Sequence, residues 1–171
     1  FFIDSHDDSG TPRFFRYSWD ETYQIIVPFP SFFQFNRSDS TWQERAEDVS
    51  DCYNSNSSDE LIIGSSAGSE TNRVSALPIK FSGVEDDVLR NRYSINVKQF
   101  SISRDAHDFY RKLKEINNTG GSLFDKQLGV ISGNIFSLNN PDEPVLGYFE
   151  VAGVSEMRAF FNSRDFEDPF V

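Results

Sequence analysis

The imidazole and thiol side chains of this chain, which could act as bases or nucleophiles, are few and far apart in sequence. His6 and His107 are its two histidines, and Cys52 is its one cysteine. A catalytic nucleophile needs a base within hydrogen-bond reach, and neither histidine has sequence neighbours that favour such a role. The zinc-protease helix motif, the Walker loop and the dinucleotide-binding glycine loop do not occur. We therefore predict no catalytic residues, no cofactor and no metal site.

Carboxylates are the remaining groups that could do chemistry, and several lie next to one another in sequence. Paired carboxylates hydrolyse glycosidic bonds when they are held roughly 5–10 Å apart, and oxygen-rich loops bind calcium. Because adjacent acidic residues are also common on the surface of an acidic protein, we interpret these groups as solvated. An envelope hydrolase that works through acidic residues is the alternative. The groups are Asp7-Asp8, Glu47-Asp48 with Asp51, Asp59-Glu60 and Glu85-Asp86-Asp87.

The composition describes a folded and strongly acidic protein. The 171 residues include 27 acidic and 16 basic side chains, for a formal net charge of −11. Residues 1–60 hold 12 of the acidic and 4 of the basic residues, so the first third is the most acidic part. A negative field of this size repels phosphate backbones, which excludes general nucleic-acid binding. Aromatic residues make up 15% of the chain, which excludes an acidic disordered protein.

Two interpretations are open for Cys52. A single cysteine forms neither an internal disulfide nor a cysteine-based zinc site. We expect it to be a small buried hydrophobe, or else half of a disulfide whose partner lies outside these residues.

No apolar run approaches the roughly 18 residues that span a bilayer. The opening residues, Phe1-Phe2-Ile3-Asp4, resemble the middle of a strand, so we expect a fragment or a processed chain.

Alternating apolar residues predict a long strand over residues 13–27, either one bent strand or two strands that meet at 20–22. Pro28 and Pro30 should end it, because proline cannot donate to a sheet ladder. Further strands are predicted at 61–64 and over 93–102, 130–136, 145–151 and 156–161. The alternation around Pro78 indicates an edge strand or a connection. We also expect a β-bulge near Lys98-Gln99 and a turn at 139–142.

One amphipathic helix is predicted in the second half of the chain. Apolar residues recur at helical spacing from Ala106 to Ile116. Ser103 is suited to cap the start of the helix, and the Asn/Gly-rich segment 117–121 should end it.

Four Phe residues within seven positions form the most concentrated apolar cluster of the chain. They precede the segment 36–60, which is rich in Ser, Asp and Asn and is expected to be a long, exposed acidic loop with a short helical turn over 42–49. The Phe residues either plug into the domain's own core or form an apolar patch for a partner. The candidate partner-binding residues are Phe29, Phe32, Phe33 and Phe35.

Successive blocks of the chain resemble one known family, the domain-of-unknown-function 4249 family of Bacteroidetes. Residues 13–22 and Cys52-Tyr53 are similar to its earlier blocks. The more specific similarity covers 92–158, where the quoted blocks are Arg92-Tyr93-Ser94-Ile95-Asn96, Phe109-Tyr110, Gly120-Gly121-Ser122, Gly133-Asn134-Ile135, Asn139-Asn140-Pro141-Asp142, Gly147-Tyr148-Phe149 and Val154-Ser155-Glu156-Met157-Arg158.

The resemblance implies a non-catalytic role at the cell envelope, since the family has no established activity. Its members resemble outer-membrane lipoproteins encoded near TonB-dependent receptors. They carry a lipidated N-terminal Cys and an immunoglobulin-like β-sandwich ahead of the region seen here. The partner implied is therefore an outer-membrane protein, a TonB-dependent transporter, and membrane association is expected through an N-terminal lipid outside this chain.

Together, the residues and the resemblance predict a β-rich α+β fold, with an antiparallel sheet or sandwich and one amphipathic helix packed on it. Residues 1–171 are expected to form a single domain, the C-terminal part of a longer lipoprotein. The Gly133 and Gly147 blocks are expected to allow close approach of backbones.

Overall fold

Nine β-strands and one α-helix make up the regular structure of the described residues. The computed structural model describes residues 1–8, 10–11, 13–83, 87–119 and 131–165. The strands are β1 (Phe2–His6), β2 (Phe14–Ile26), β3 (Phe33–Asn36), β4 (Thr41–Glu44), β5 (Asp51–Ser57), β6 (Ile62–Ser65), β7 (Arg73–Pro78), β8 (Arg92–Ser101) and β9 (Gly153–Asn162), and the helix α1 is Arg104–Thr119. Short 3-10 helices occupy Asp87–Leu89 and Ser163–Asp165.

The strands form three sheets, and the predicted β-rich α+β fold with antiparallel sheets is confirmed. β1 pairs with β7, and β3 pairs with β4. The largest sheet has the order β5-β2-β8-β9, and β6 also pairs with β2. The pairs β1–β7, β2–β5, β2–β6 and β3–β4 are all antiparallel.

The long N-terminal strand is one continuous element of 13 residues rather than two strands. β2 pairs with β6 over Phe14–Tyr17 and with β5 over Asp20–Ile26. The apolar alternation breaks at Glu21, which is nevertheless buried, with 2% of its surface exposed. The break in the pattern therefore marks a buried carboxylate and not the end of a strand.

The chain divides into two compact units. The first consists of residues 1–19, 58–81 and 97–157, and the second of 20–57, 82–96 and 158–171, within the described ranges. The buried apolar residues of the first unit are Phe15, Tyr17, Ile62, Val74, Ile79, Val97, Ile102 and Ala106, and those of the second are Tyr93 and Ile95.

Helix α1 forms where the apolar stripe predicts it. The hydroxyl of Ser103 accepts a hydrogen bond from the N–H of Ala106 at 3.1 Å, which confirms the predicted N-terminal cap. Ala106 is almost fully buried. The ring of His107 lies 5.0 Å from that of Phe14 on β2, between ring centroids, so the helix packs against the strand.

Several local predictions are wrong. Segment 36–60 is exposed, as expected, but it is not one loop: it contains β4 and β5. The helical turn predicted over 42–49 is absent, because β4 extends to residue 44 and residues 45–49 are irregular. Residues 131–136 and 145–151 are irregular rather than strands, whereas 156–161 lies within β9. Residue 130 lies outside the described residues, as do 120 and 121 at the predicted helix stop.

The two irregular segments are held together by one side chain and by two glycines. Asn134 Nδ2 donates to the carbonyl of Phe149 at 2.8 Å, and Asn134 Oδ1 accepts from the N–H of Phe149 at 2.7 Å. A Cβ on Gly133 would collide with the carbonyl oxygen of Gly147, so the predicted close approach is confirmed. A turn lies between the segments, as predicted, and in it the N–H of Glu143 donates to the carbonyl of Asn140 at 3.0 Å.

The predicted bulge at Lys98-Gln99 stays a prediction. β8 is one ten-residue strand in which Val97 is buried and Phe100 is half-buried. A register irregularity is seen instead between Ile3 and Ser5, where β1 pairs with β7.

Candidate partner-binding surface

The four Phe residues singled out by the sequence are all exposed. The exposed fraction is 91% for Phe29, 70% for Phe32, 55% for Phe33 and 48% for Phe35. The interpretation that these rings close the domain's own core is therefore wrong. Burying a Phe ring contributes about 1.5–3 kcal/mol, and none of the four contributes that amount to folding within this chain.

Two of the four rings lie on one face of the β3–β4 hairpin. In its antiparallel register Phe33 lies opposite Glu44, and Phe35 lies opposite Trp42. Residues two apart on a strand, and residues directly opposite on its partner, share a face. The rings of Phe35 and Trp42 are in edge contact, 5.4 Å between centroids. Phe33, Phe35 and Trp42 thus form one apolar surface, which we call the aromatic face, with Glu44 at its end.

The other face of the hairpin is polar. Gln34 lies opposite Gln43, and Asn36 lies opposite Thr41. Gln43 Nε2 donates to Asp39 at 3.2 Å. The hairpin is therefore amphipathic, although its strand residues are exposed apart from the half-buried Asn36.

Short polar side chains fix the turn of the hairpin. Asp39 Oδ1 accepts from the N–H and the hydroxyl of Thr41 at 3.1 and 2.7 Å. Asn36 Oδ1 accepts from the N–H of Ser38 at 3.0 Å. Ser40 adopts a φ of 58°, a left-handed conformation that these side-chain hydrogen bonds stabilise. An isolated two-stranded hairpin is marginal in water, so these bonds help to preserve the aromatic face.

Phe32 belongs to a cavity beside the hairpin. The carbonyl of Phe32 accepts the N–H of Arg45 at 2.8 Å, which extends the hairpin pairing by one step. The cavity has a volume of about 300 Å³. Its walls are residues 30–32 and 44–50, which include the acidic residues Glu44, Glu47 and Asp48.

The surroundings of the aromatic face are acidic. Residues 28–51 carry five acidic and two basic side chains. The hydroxyl of Ser50, followed by its backbone N–H, lowers the pKa of the exposed Asp48 carboxyl, so Asp48 is ionised at neutral pH. Acidic side chains therefore border an apolar surface and line the cavity beside it.

Sequence reasoning missed Trp42, which is 71% exposed. The predicted helical turn over 42–49 placed it away from the Phe cluster. The signal was available, because Phe33 and Phe35 alternate before a turn-forming run of Asn, Ser and Asp, and Trp42 follows it at hairpin spacing.

The other residues considered for chemistry are dispersed. Asp59 and Glu60 are exposed, and Asp8 is exposed beside the half-buried Asp7. Glu85 and Asp86 lie outside the described residues. Within the described ranges, no three His, Cys, Asp or Glu residues come close enough to hold a metal ion.

Cys52 is exposed on β5, so the expectation of a buried hydrophobe is wrong. Its pairing with a cysteine outside these residues stays a prediction. His107 is half-buried, and burial is the main cause that lowers its pKa.

Gly64-Ser65-Ser66-Ala67-Gly68 has the Gly-x-Ser-x-Gly spacing of a nucleophile elbow, and sequence reasoning overlooked it. An elbow places an exposed serine between a strand and a helix. Here Ser66 follows β6 and is buried, with 2% of its surface exposed. Its hydroxyl hydrogen-bonds the side chain of Asn72. The next regular element is strand β7. The geometry of this serine does not fit a nucleophile elbow.

Two buried or half-buried polar clusters were also missed. In the second unit, Glu21 accepts from the hydroxyl of Tyr93 at 2.7 Å and from Asn56 Nδ2 at 3.0 Å. Burial and then the neighbouring Glu21 raise the pKa of Tyr93 well above its usual range. These contacts tie β2 to β5 and β8, and they give the buried carboxylate a structural role.

In the first unit, Arg16 binds Glu150 with 3.0 Å between Nη2 and Oε1. Its guanidinium carbon lies 4.1 Å from the centroid of the Phe100 ring and 5.6 Å from that of Tyr110. Burial, followed by a hydrogen bond to Glu150, raises the pKa of Tyr110. Cation–π contact of this kind stabilises a partly desolvated arginine.

The fold and the surface define a β-rich α+β protein with an exposed aromatic face bordered by acidic groups. Residues 1–158 match the profile of the domain of unknown function DUF4249, and the chain belongs to that family. No curated protein and no solved structure matches the chain significantly. Among the described residues, no helix has the length and apolar character needed to cross a membrane.

Proposed function

We propose that the chain belongs to a non-catalytic accessory protein of the cell envelope, which holds a protein partner through the β3–β4 hairpin. The observation that carries this proposal is the aromatic face itself. Phe33, Phe35 and Trp42 are ordered by hairpin register and remain largely exposed. Contiguous exposed apolar surface on a soluble domain is typical of an interaction site, and aromatic residues are the usual anchors of interfaces.

The resemblance to outer-membrane lipoproteins supports a location and a partner class for this function. On that basis the partner is an outer-membrane protein, a TonB-dependent transporter, and a lipid on a segment outside this chain supplies the membrane anchor. A stable interface buries about 1,200–2,000 Å² in total. Three aromatic side chains would supply the centre of such an interface, while Phe29, Phe32 and the flanking acidic groups would lie at its rim.

The test is co-purification from native membranes under gentle detergent extraction. The variant Phe33→Thr/Phe35→Thr removes two rings from the aromatic face and keeps residues that favour strands. The control, Gln34→Thr/Gln43→Thr, places two threonines on the polar face and leaves the aromatic rings in place. We expect the control to retain an outer-membrane protein and the aromatic variant to lose it. Isolation of the native protein without any membrane partner would contradict the proposal.

A further inference from the structure

We infer that the partner surface is both apolar and positively charged, with a lysine or arginine side chain that enters the cavity beside the hairpin. This inference rests on the proposed function and adds the chemistry of the partner. It is carried by the combination of an aromatic face, an acidic border and a cavity that share Glu44.

The first step is the position of Glu44. The register places it on the same face as Phe33, and it also lines the cavity. A partner that covers the aromatic face removes water from this carboxylate. An ionised carboxylate that loses its water without gaining a counter-charge is strongly destabilised. A cation on the partner at this place supplies the compensation.

The second step is the cavity, whose volume of about 300 Å³ accommodates a long side chain. Glu44, Glu47 and Asp48 line it together with one cation, Arg45. Three acidic residues against one arginine give the lining a net negative formal charge. A lysine or arginine side chain matches this lining in both length and charge, and its alkyl stem can pack against Phe32.

The third step excludes the competing occupants. A second copy of this chain carries the same charge of −11 and would bring its own Glu44 and acidic border to the interface. Like charges placed against each other oppose association. An anionic lipid surface is repelled for the same reason. A basic protein surface is not repelled by the acidic border of the aromatic face.

Three synthetic peptides test the inference on the 171-residue chain. One alternates Lys with Leu, one alternates Glu with Leu, and one alternates Lys with Ser. We expect the Lys/Leu peptide to bind about tenfold more tightly than either of the others, a ratio that corresponds to about 1.4 kcal/mol. Amide NMR shifts should map its binding to residues 29–50. Raising the salt concentration should weaken it, because exposed charges are screened.

Two charge variants separate this site from general attraction to an acidic protein. Glu44→Gln/Glu47→Gln neutralises two carboxylates of the cavity and leaves the aromatic rings in place. Asp59→Asn/Glu60→Gln neutralises two exposed carboxylates outside it. We expect several-fold weaker binding of the Lys/Leu peptide by the first variant and unchanged binding by the second. Because the first variant keeps the hairpin residues that pack, it remains informative even if aromatic variants disturb the hairpin.

The opposite results overturn the inference. If the Lys/Ser peptide binds as tightly as the Lys/Leu peptide, the aromatic face contributes nothing to binding. If the Glu/Leu peptide binds as tightly as the Lys/Leu peptide, charge contributes nothing. Self-association of the free chain at neutral pH identifies a second copy as the occupant, and binding to anionic phosphatidylglycerol vesicles identifies a membrane. If a membrane protein co-purifies but no peptide binds as expected, the inference fails and the proposed function stands. If nothing co-purifies, the proposed function fails whatever the peptides do.

Discussion

At the scale of single residues, the buried carboxylate of Glu21 is explained by the donors that it meets. Glu21 is as buried as the core residue Tyr17, yet it receives hydrogen bonds from Tyr93 and Asn56. A buried carboxylate is tolerated when donors compensate it and is costly otherwise. Such a residue disrupts the apolar alternation, so sequence patterns alone cannot distinguish it from a strand end.

Tyr93→Phe should destabilise the chain because it removes a hydroxyl that donates to buried Glu21. Asn56 still donates to Glu21 in this variant, but the loss of one donor to a buried carboxylate costs about 1–3 kcal/mol. Urea unfolding at pH 7 should show this loss in the free energy of unfolding. Tyr53→Phe is the control, because Tyr53 is 61% exposed, and it should change stability little. Equal effects of the two substitutions would show that the hydrogen bond does not matter.

The same tyrosine should make the chain sensitive to alkali. Burial and Glu21 raise the pKa of Tyr93 above its ordinary value of 10.0. The neutral hydroxyl is therefore favoured in the folded state, and its contribution is fully present below about pH 10 and is lost as the pH rises further. Urea midpoints between about pH 8 and 11 should fall more steeply for the native chain than for Tyr93→Phe. Parallel curves would contradict the assignment.

At the scale of elements, the predictions succeeded where a local pattern faces a core. β2, β6, β8 and α1 carry apolar residues at strand or helix spacing, and each forms close to its predicted bounds. β9 also forms near its predicted bounds, although most of its side chains are exposed. β4 and β5 were missed because their side chains are exposed throughout. β5 is a strand because its backbone pairs with β2. Polar side chains face each other across the two strands, as in the hydrogen bond between the hydroxyls of Thr22 and Ser55, whose oxygens lie 2.9 Å apart. The sequence of β5 therefore shows no apolar alternation that would predict a strand.

The candidate surface was predictable only in part for the same reason. Phe33 and Phe35 could be found as an unusual apolar cluster, but which face they share depends on the hairpin register. Trp42 joins them only after the turn at 37–40 brings β4 alongside β3. The cavity and its carboxylates depend on how residues 44–50 return past residues 30–32, which no local pattern encodes.

Phe109→Ala should weaken the attachment of α1. The ring of Phe109 lies 5.2 Å from that of Tyr148 and 5.6 Å from that of Tyr110, between centroids, and the residue is half-buried. Truncation of a fully buried Phe costs about 3–5 kcal/mol, so we expect about 1–3 kcal/mol here, seen as a lower melting temperature. Lys112→Ala on the exposed side of α1 should have little effect. Comparable losses would show that the apolar stripe is not packed.

Asn134 should act as a substitute for a strand pairing. Its amide both donates to and accepts from the backbone of Phe149. Asn134→Ala removes both hydrogen bonds, and the Phe149 N–H should then exchange with solvent faster. Asn134→Asp keeps the acceptor, so protection of that N–H should persist. Identical exchange in the two variants would show that the acceptor does not hold the segment 145–151.

At the scale of the whole molecule, net charge and exposed apolar surface act against each other. The chain carries a formal charge of −11, with a pI near 4.5. Many large apolar side chains are exposed among the described residues, Phe29, Phe81 and Leu138 among them. Apolar surface promotes association, and charge repulsion keeps copies apart in solution. The charge therefore opposes self-association through the exposed apolar side chains.

Lowering the pH toward 4.5 should make the chain self-associate, because protonation of carboxylates removes the repulsion between copies. Light scattering should show a monomer at pH 7 in low salt and larger species near the pI. Phe33→Thr/Phe35→Thr should reduce the association, whereas Gln34→Thr/Gln43→Thr should not. If both variants associate like the native chain, other exposed apolar residues form the contact. A monomer at every pH would show that the exposed rings are too dispersed to drive association, and it would remove the main physical support for the hairpin as a docking element.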